Sequence, residues 1–193
     1  SHIDKTRPDL IILVDYVEFN LKIAKFAKSL GLRVIFYIAP QLWAWREQRA
    51  YDLVKNIDHL AVIFPFEEMF FQRYTDKVSY VGHPLFQNEN LLNSVKRYED
   101  RDIDLGIFPG SRESEIKNNI YCMLDCIQKN KDEKIKIFYA NETSYYLLKK
   151  LLPVDYHSKL ESGKDLVKVS SCKKALCASG TITLELAILE IPM

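Results

Sequence analysis

Three short polar stretches follow apolar runs in this chain, and they carry residue types that bind anions or move protons. The stretch Gly110-Ser111-Arg112 ends the apolar run IDLGIF and leads into a polar, helix-like segment. Glycine lets a backbone approach a phosphate closely, and the free amides at a helix N-terminus attract anions. Arginine adds a planar fork matched to phosphate oxygens. The same residues also suit a plain turn, with Ser111 capping the helix and Arg112 paired to Glu115. The stretch alone leaves both readings open.

Ser179-Gly180-Thr181 repeats the arrangement after the run ALCA. Two hydroxyl-bearing, small-residue turns facing one crevice could hold a diphosphate. Glu185 follows Thr181 by one helical turn, where its carboxylate could accept hydrogen bonds from a ribose diol. It also fits a surface glutamate favoured by the helix dipole.

Asp15 ends the run LIILV, a position that suits either a helix cap or a general base. Glu18 lies one turn further on, where a second carboxylate could raise the basicity of its neighbour. In APQLWAWREQR, Trp43 and Trp45 flank an alanine ahead of Arg46 and Arg49. Buried indoles are the bland reading. Exposed indoles could meet an acyl chain or a sugar face while the arginines meet phosphate. His83, in Gly82-His83-Pro84, is either an acid-base group or a turn residue.

These positions need strands and helices to hold them. Short apolar runs alternate with amphipathic helical patterns. Strands are expected at 10–14, 33–39, 59–64, 78–82, 103–108, 135–140 and 175–179, with the first read as buried on both faces. Helices are expected at 18–30, 45–56, 66–75, 113–129, 143–151 and 181–189. In the first of these, Phe19, Ile23, Phe26, Ala27 and Leu30 form the expected apolar stripe, and Gly31 is the natural stop. The polar segment from 86 to 102 reads as a linker. It separates an N-terminal domain, 1–85, from a C-terminal domain, 103–193. Alternating strands and helices imply parallel sheets with right-handed crossovers, so the fold class is α/β with two Rossmann-like, doubly wound domains. Ligands of such sheets sit beyond the carboxyl ends of the strands, where Asp15, Pro40-Gln41, Pro65, Gly82-His83-Pro84, Gly110-Ser111-Arg112 and Ser179-Gly180-Thr181 fall.

Composition narrows the function classes. The 193 residues carry 27 basic and 26 acidic side chains, a formal net charge of +1. That balance gives no electrostatic footprint for nucleic acid. The longest apolar stretch, 34–45, is interrupted by Pro40 and Gln41 and is too short to span a membrane. Cys122, Cys126, Cys172 and Cys177 form no C-x-x-C pair, which points to reduced thiols rather than zinc, with Cys122 and Cys126 read as small core residues. No H-E-x-x-H, nucleophile elbow or Walker A sequence is present, against zincins, serine hydrolases of that class and P-loop ATPases.

Taken together, DYVEFN (15–20), PQLWAWR (40–46), FPFEEMFF (64–71), VGHPL (81–85), PGSRESEI (109–116) and SGTITLE (179–185) resemble the lipid-A-disaccharide synthase family, bacterial glycosyltransferases of the GT-B class. The resemblance implies transfer of 2,3-diacylglucosamine from its UDP derivative to 2,3-diacylglucosamine 1-phosphate, with inversion and with no metal or other cofactor. It implies that Asp15 is the general base and that Arg112, with the Gly110 and Ser111 backbone, stabilises phosphate charge. Ser179, Gly180, Thr181 and Glu185 become UDP contacts, and Asn20, Trp43, Trp45 and Arg46 fall on the acceptor or lipid side. Amphiphilic substrates imply work at the cytoplasmic face of the inner membrane, as a peripheral protein without nucleic-acid partners. Glu18 stands where the family has aspartate, and Tyr16 replaces a smaller residue.

The resemblance also implies chain beyond both ends of this sequence, so the 193 residues are expected to be a fragment, inactive alone. Two other readings remain open at this point. One is a different UDP-sugar enzyme of the same fold, such as a UDP-N-acetylglucosamine 2-epimerase. The other is a non-catalytic module that binds nucleotide sugars.

Overall fold

The computed structural model describes residues 2–45, 47–129 and 132–193. The chain divides into two compact units, Ser1–Gln87 and Asn88–Met193.

In the first unit, α1 (His2–Thr6) leads to β1 (Leu10–Val14), α2 (Val17–Ser29), β2 (Arg33–Tyr37), α3 (Leu42–Trp45) and α4 (Arg49–Lys55). Then come β3 (His59–Val62), α5 (Pro65–Phe71) and β4 (Val78–Tyr80). The four strands are parallel, in the order β1-β2-β3-β4. One core joins Leu13, Val34, Phe36, Leu60, Val62 and Val78 from the strands to Ala24 and Ala27 of α2, Leu53 of α4 and Phe71 of α5. Phe36, Leu53, Leu60 and Phe71 are fully buried, each contributing roughly 1.5–3 kcal/mol.

The structure departs from the sequence expectations at β1 and α2. β1 is not buried on both faces: it lies at the edge of its sheet, Leu13 packs inward, and Ile12 is 58 % exposed. In α2 the buried face is Asn20, Ala24 and Ala27, while Phe19 and Phe26 are exposed. Alanine lets the helix lie close on the sheet, and the large rings are displaced to the flanks. Gly31, with φ +75°, stops the helix as expected, its amide bonding back to the Lys28 carbonyl. Of the expected helix 45–56 the structure shows α4, while the short α3 ends at Trp45, where that helix was expected to begin, and Arg46 lies outside the described residues.

In the second unit, α6 (Glu89–Leu92) precedes β5 (Leu105–Phe108), α7 (Glu113–Lys129), β6 (Ile135–Tyr139) and α8 (Glu142–Leu151). β7 (Leu160–Ser162), α9 (Leu166–Val169), β8 (Ala175–Cys177) and α10 (Thr181–Ile188) complete it. The parallel order is β7-β6-β5-β8, so the winding reverses between β5 and β8. α7 buries Ile116, Ile120, Met123, Leu124 and Ile127, one stripe at helical spacing, against β5 and β6. Cys122 and Cys126 fall off that stripe, and Cys122 is exposed rather than a core residue. Cys172 is the buried thiol, pushed up to about 12 by burial. α8 starts on Asn141, whose side chain accepts from the Ser144 amide at 2.9 Å.

The segment read as a linker is largely part of the second unit. Leu91 is buried, and the Arg101 side chain is 5 % exposed. Its guanidinium donates to the carbonyls of Lys96, Cys172, Leu189 and Glu190. Burial of Leu91 and these carbonyl contacts of Arg101 together tie the segment to the second unit.

Candidate functional site

The reversal between β5 and β8 places two loops side by side at the carboxyl ends of the strands, the position where open α/β sheets bind ligands. The Ala178 amide donates to the Phe108 carbonyl at 2.8 Å and ties the loops together. A cavity of about 380 Å³ lies over them, within the usual range for small-molecule sites. Gly110, Ser111, Arg112, Ser179, Gly180, Thr181 and Glu185 all line it. Thus every residue of the two turns singled out from the sequence reaches one pocket, together with the glutamate one helical turn beyond.

The geometry of the first loop depends on glycine. Gly110 has φ +119°, and a Cβ there would come within 2.8 Å of the Glu115 Cβ and 2.9 Å of its Oε2. The chain passes so close because Glu115 folds back over the loop. The amides of Ser111 and Arg112 donate to Glu115 Oε2 at 3.2 and 3.3 Å, and the Arg112 guanidinium donates to Oε1 at 2.9 Å. Those backbone amides, with the Arg112 side chain, hold the Glu115 carboxyl below its ordinary range. The plain-turn pairing of Arg112 with Glu115 is therefore present, and it sits at the mouth of a ligand-sized cavity.

The other walls add apolar surface. The Phe108 and Phe138 rings stack with centroids 4.6 Å apart, and both line the cavity. Glu185 is half-buried in its wall, and burial pushes its carboxyl up. Thr183 anchors the second loop by donating from Oγ1 to the Gly180 carbonyl at 2.7 Å.

In the first unit, Asp15 follows β1 with φ +49° and Tyr16 follows with φ +40°. Two consecutive non-glycine residues in the left-handed region carry backbone strain, which surrounding structure must hold. Asn20 holds it. Its buried carboxamide donates to the carbonyls of Val14 at 3.0 Å and Asp15 at 2.7 Å. Asn20 thereby fixes the backbone at Asp15. The Glu18 carboxylate forms an ion pair with Arg49.

Trp43 is partly exposed and meets Phe66 edge-on, with ring centroids 5.0 Å apart. It also hydrogen-bonds to Glu67, a buried carboxylate that accepts from the Phe64 and Ile63 amides. Burial pushes the Glu67 carboxyl up, and those three donors oppose it. Trp45 closes α3. His83 accepts the Leu85 amide on Nδ1, and its ring lies 5.7 Å from that of Phe64.

Among the described residues no group of three or more His, Cys, Asp or Glu side chains is placed to hold a metal ion, and no helix is long and apolar enough to cross a membrane. The family profile described as lipid-A-disaccharide synthetase matches residues 1–193.

The chain belongs to the lipid-A-disaccharide synthetase family.

Relatives named lipid-A-disaccharide synthase agree. The protein from Nitrosococcus oceani is 35 % identical, with 99 % of this chain and 52 % of the relative aligned. One from Coxiella burnetii is also 35 % identical, over 98 % and 52 %. The chain thus spans about half the length of the curated relatives it matches. Among solved structures, Methanocaldococcus jannaschii UDP-GlcNAc 2-epimerase in complex with UDP-GlcNAc and UDP matches with a TM-score of 0.63 and 15 % identity, covering 99 % of this chain and 60 % of that one. A Staphylococcus aureus MnaA–UDP structure matches equally well, with a TM-score of 0.63. At such identities these likenesses report the fold alone. They place this member of the lipid-A-disaccharide synthetase family among two-unit α/β proteins.

Sequence reasoning missed part of the pocket wall: Gly163 and Lys164 after β7, and the aromatic pair Phe108 and Phe138. The β7 strand, Leu-Glu-Ser, has no apolar run to flag the loop behind it. The aromatics were visible only as strand residues, without a sign of which face they occupied.

Proposed function

We propose that this chain is part of a lipid-A-disaccharide synthase, a protein that moves 2,3-diacylglucosamine from UDP-2,3-diacylglucosamine to 2,3-diacylglucosamine 1-phosphate. The observation that carries the reading is the convergence of Gly110-Ser111-Arg112 and Ser179-Gly180-Thr181 on one cavity in a chain of this family. In that cavity the amides and guanidinium of the first loop take the diphosphate, and Glu185 takes the ribose hydroxyls.

Asp15 accepts the proton of the acceptor 6-hydroxyl as its oxygen attacks the donor C1 from the face opposite UDP. The bond from C1 to the diphosphate oxygen breaks, UDP leaves with the electron pair, and the sugar inverts to a β-1′,6 linkage. Positioned donors on the leaving diphosphate and a held carboxylate at the nucleophile lower the barrier by electrostatics and orientation, without a cofactor. Asn20 keeps Asp15 in its strained conformation. Trp43 and Phe66, both exposed and in contact, offer an apolar surface to the acyl chains, in keeping with work at the cytoplasmic face of the inner membrane.

The test is product analysis with the full-length polypeptide, donor and acceptor. Disaccharide 1-phosphate and UDP in equal amounts support the reading. Conversion of UDP-N-acetylglucosamine to its C2 epimer, without dependence on acceptor, would replace it.

A further inference from the structure

Glu115 occupies the donors that a diphosphate needs. Its carboxylate holds both loop amides, those of Ser111 and Arg112, and the Arg112 guanidinium, all at 2.9–3.3 Å. Gly110 leaves no room for a Cβ between itself and Glu115, so the loop is shaped around this carboxylate. The Arg112 side chain is otherwise 81 % exposed, free to turn toward a ligand once Glu115 releases it.

We infer that Glu115 is a built-in competitor of the ligand's diphosphate: it keeps the anion loop formed when the pocket is empty and must give up these donors when a diphosphate arrives. This rests on the reading of the pocket as a UDP site. A carboxylate and a phosphoryl oxygen cannot share one pair of amides, because each would desolvate and repel the other. The occupied loop therefore lowers affinity for the diphosphate while sparing the loop the cost of ordering at each binding event. The consequence is fast release of the product UDP, whose two phosphates meet a returning carboxylate.

Glu115→Gln removes the charge with little change of shape. In calorimetric titrations of the full-length polypeptide, this variant is expected to bind UDP and inorganic pyrophosphate about threefold to fivefold more tightly than wild type, on the scale of an exposed charge pair. Uridine binding is expected to be unchanged, and the gain in UDP affinity is the readout that sets a competitor apart from a structural support, whose loss would weaken UDP binding. In the wild-type protein, the Glu115 carboxyl carbon resonance should shift on adding UDP and stay in place on adding uridine, a readout that needs no variant. Weaker UDP binding by Glu115→Gln, or a carboxyl resonance indifferent to UDP, would overturn the inference and make Glu115 a fixed support of the loop. Absence of any UDP binding by the wild-type protein would instead remove the reading of the pocket itself.

Discussion

The side-chain amide of Asn20 donates to the backbone carbonyl of Asp15 at 2.7 Å, across the first turn of α2, and Asp15 sits at φ +49°. A strained aspartate is thus held in place by a buried residue five positions along the chain. Asn20→Ala removes both of its bonds to the loop and should relax Asp15. Turnover is expected to fall at least tenfold while UDP affinity stays within about twofold, because the loop and the pocket lie in different units. Steady-state kinetics and UDP titration separate the two effects.

Gly110→Ala tests the tight loop. The added methyl would meet Glu115 at less than 3 Å, in a backbone conformation that L residues rarely adopt. UDP affinity is expected to drop by more than tenfold, with a loss of about 1–2 kcal/mol in unfolding free energy. Calorimetry and urea unfolding of the same sample report both.

Arg101→Leu addresses the segment before β5. It strips four buried or part-buried carbonyls of their donor, and a destabilisation of about 3 kcal/mol is expected. The urea midpoint should fall and the unfolding slope should hold.

Asp58 gives a pH signature. Burial pushes its carboxyl up, but the Lys28 ammonium at 2.6 Å and the Val34 amide at 2.8 Å outweigh burial and hold it below the ordinary value of 3.8. A carboxyl depressed by folding contributes stability that is present above its unfolded value and is lost as pH falls through the folded one. Asp58→Asn should therefore destabilise the protein at pH 7 and lose much of that difference below about pH 4. Glu185, raised by burial, runs the other way. Its cost to folding appears as pH rises above the unfolded value and persists beyond the folded one, so Glu185→Gln should raise the Tm at pH 7 and weaken UDP binding. Thermal melts across pH 3–8 compare the two variants.

The loops that line the cavity were legible because glycine, hydroxyl and charged residues punctuate apolar runs, as at Gly110 and Gly180. What those loops do with one another was less so. Glu115 appeared in the sequence as a partner for Arg112, but its two amide bonds depend on how tightly Gly110 turns. α2 shows the limit of periodicity: of the expected apolar stripe Ala27 took the core, joined by Ala24 from outside it, while Phe19 and Phe26 did not. The segment around Arg101 escaped altogether, since an arginine clamped by carbonyls has no hydropathic pattern.

The proposed mechanism gives Asp15 the acceptor's proton and gives UDP to the pocket of the second unit. UDP release from UDP-2,3-diacylglucosamine, followed in the full-length polypeptide and in Asp15→Asn with and without acceptor, tests it most directly. The expected result is acceptor-dependent release in the wild type that collapses by about a thousandfold or more in the variant, with UDP affinity retained. Release that survives in Asp15→Asn, or that proceeds equally without acceptor, would exclude Asp15 as the general base of a transferase.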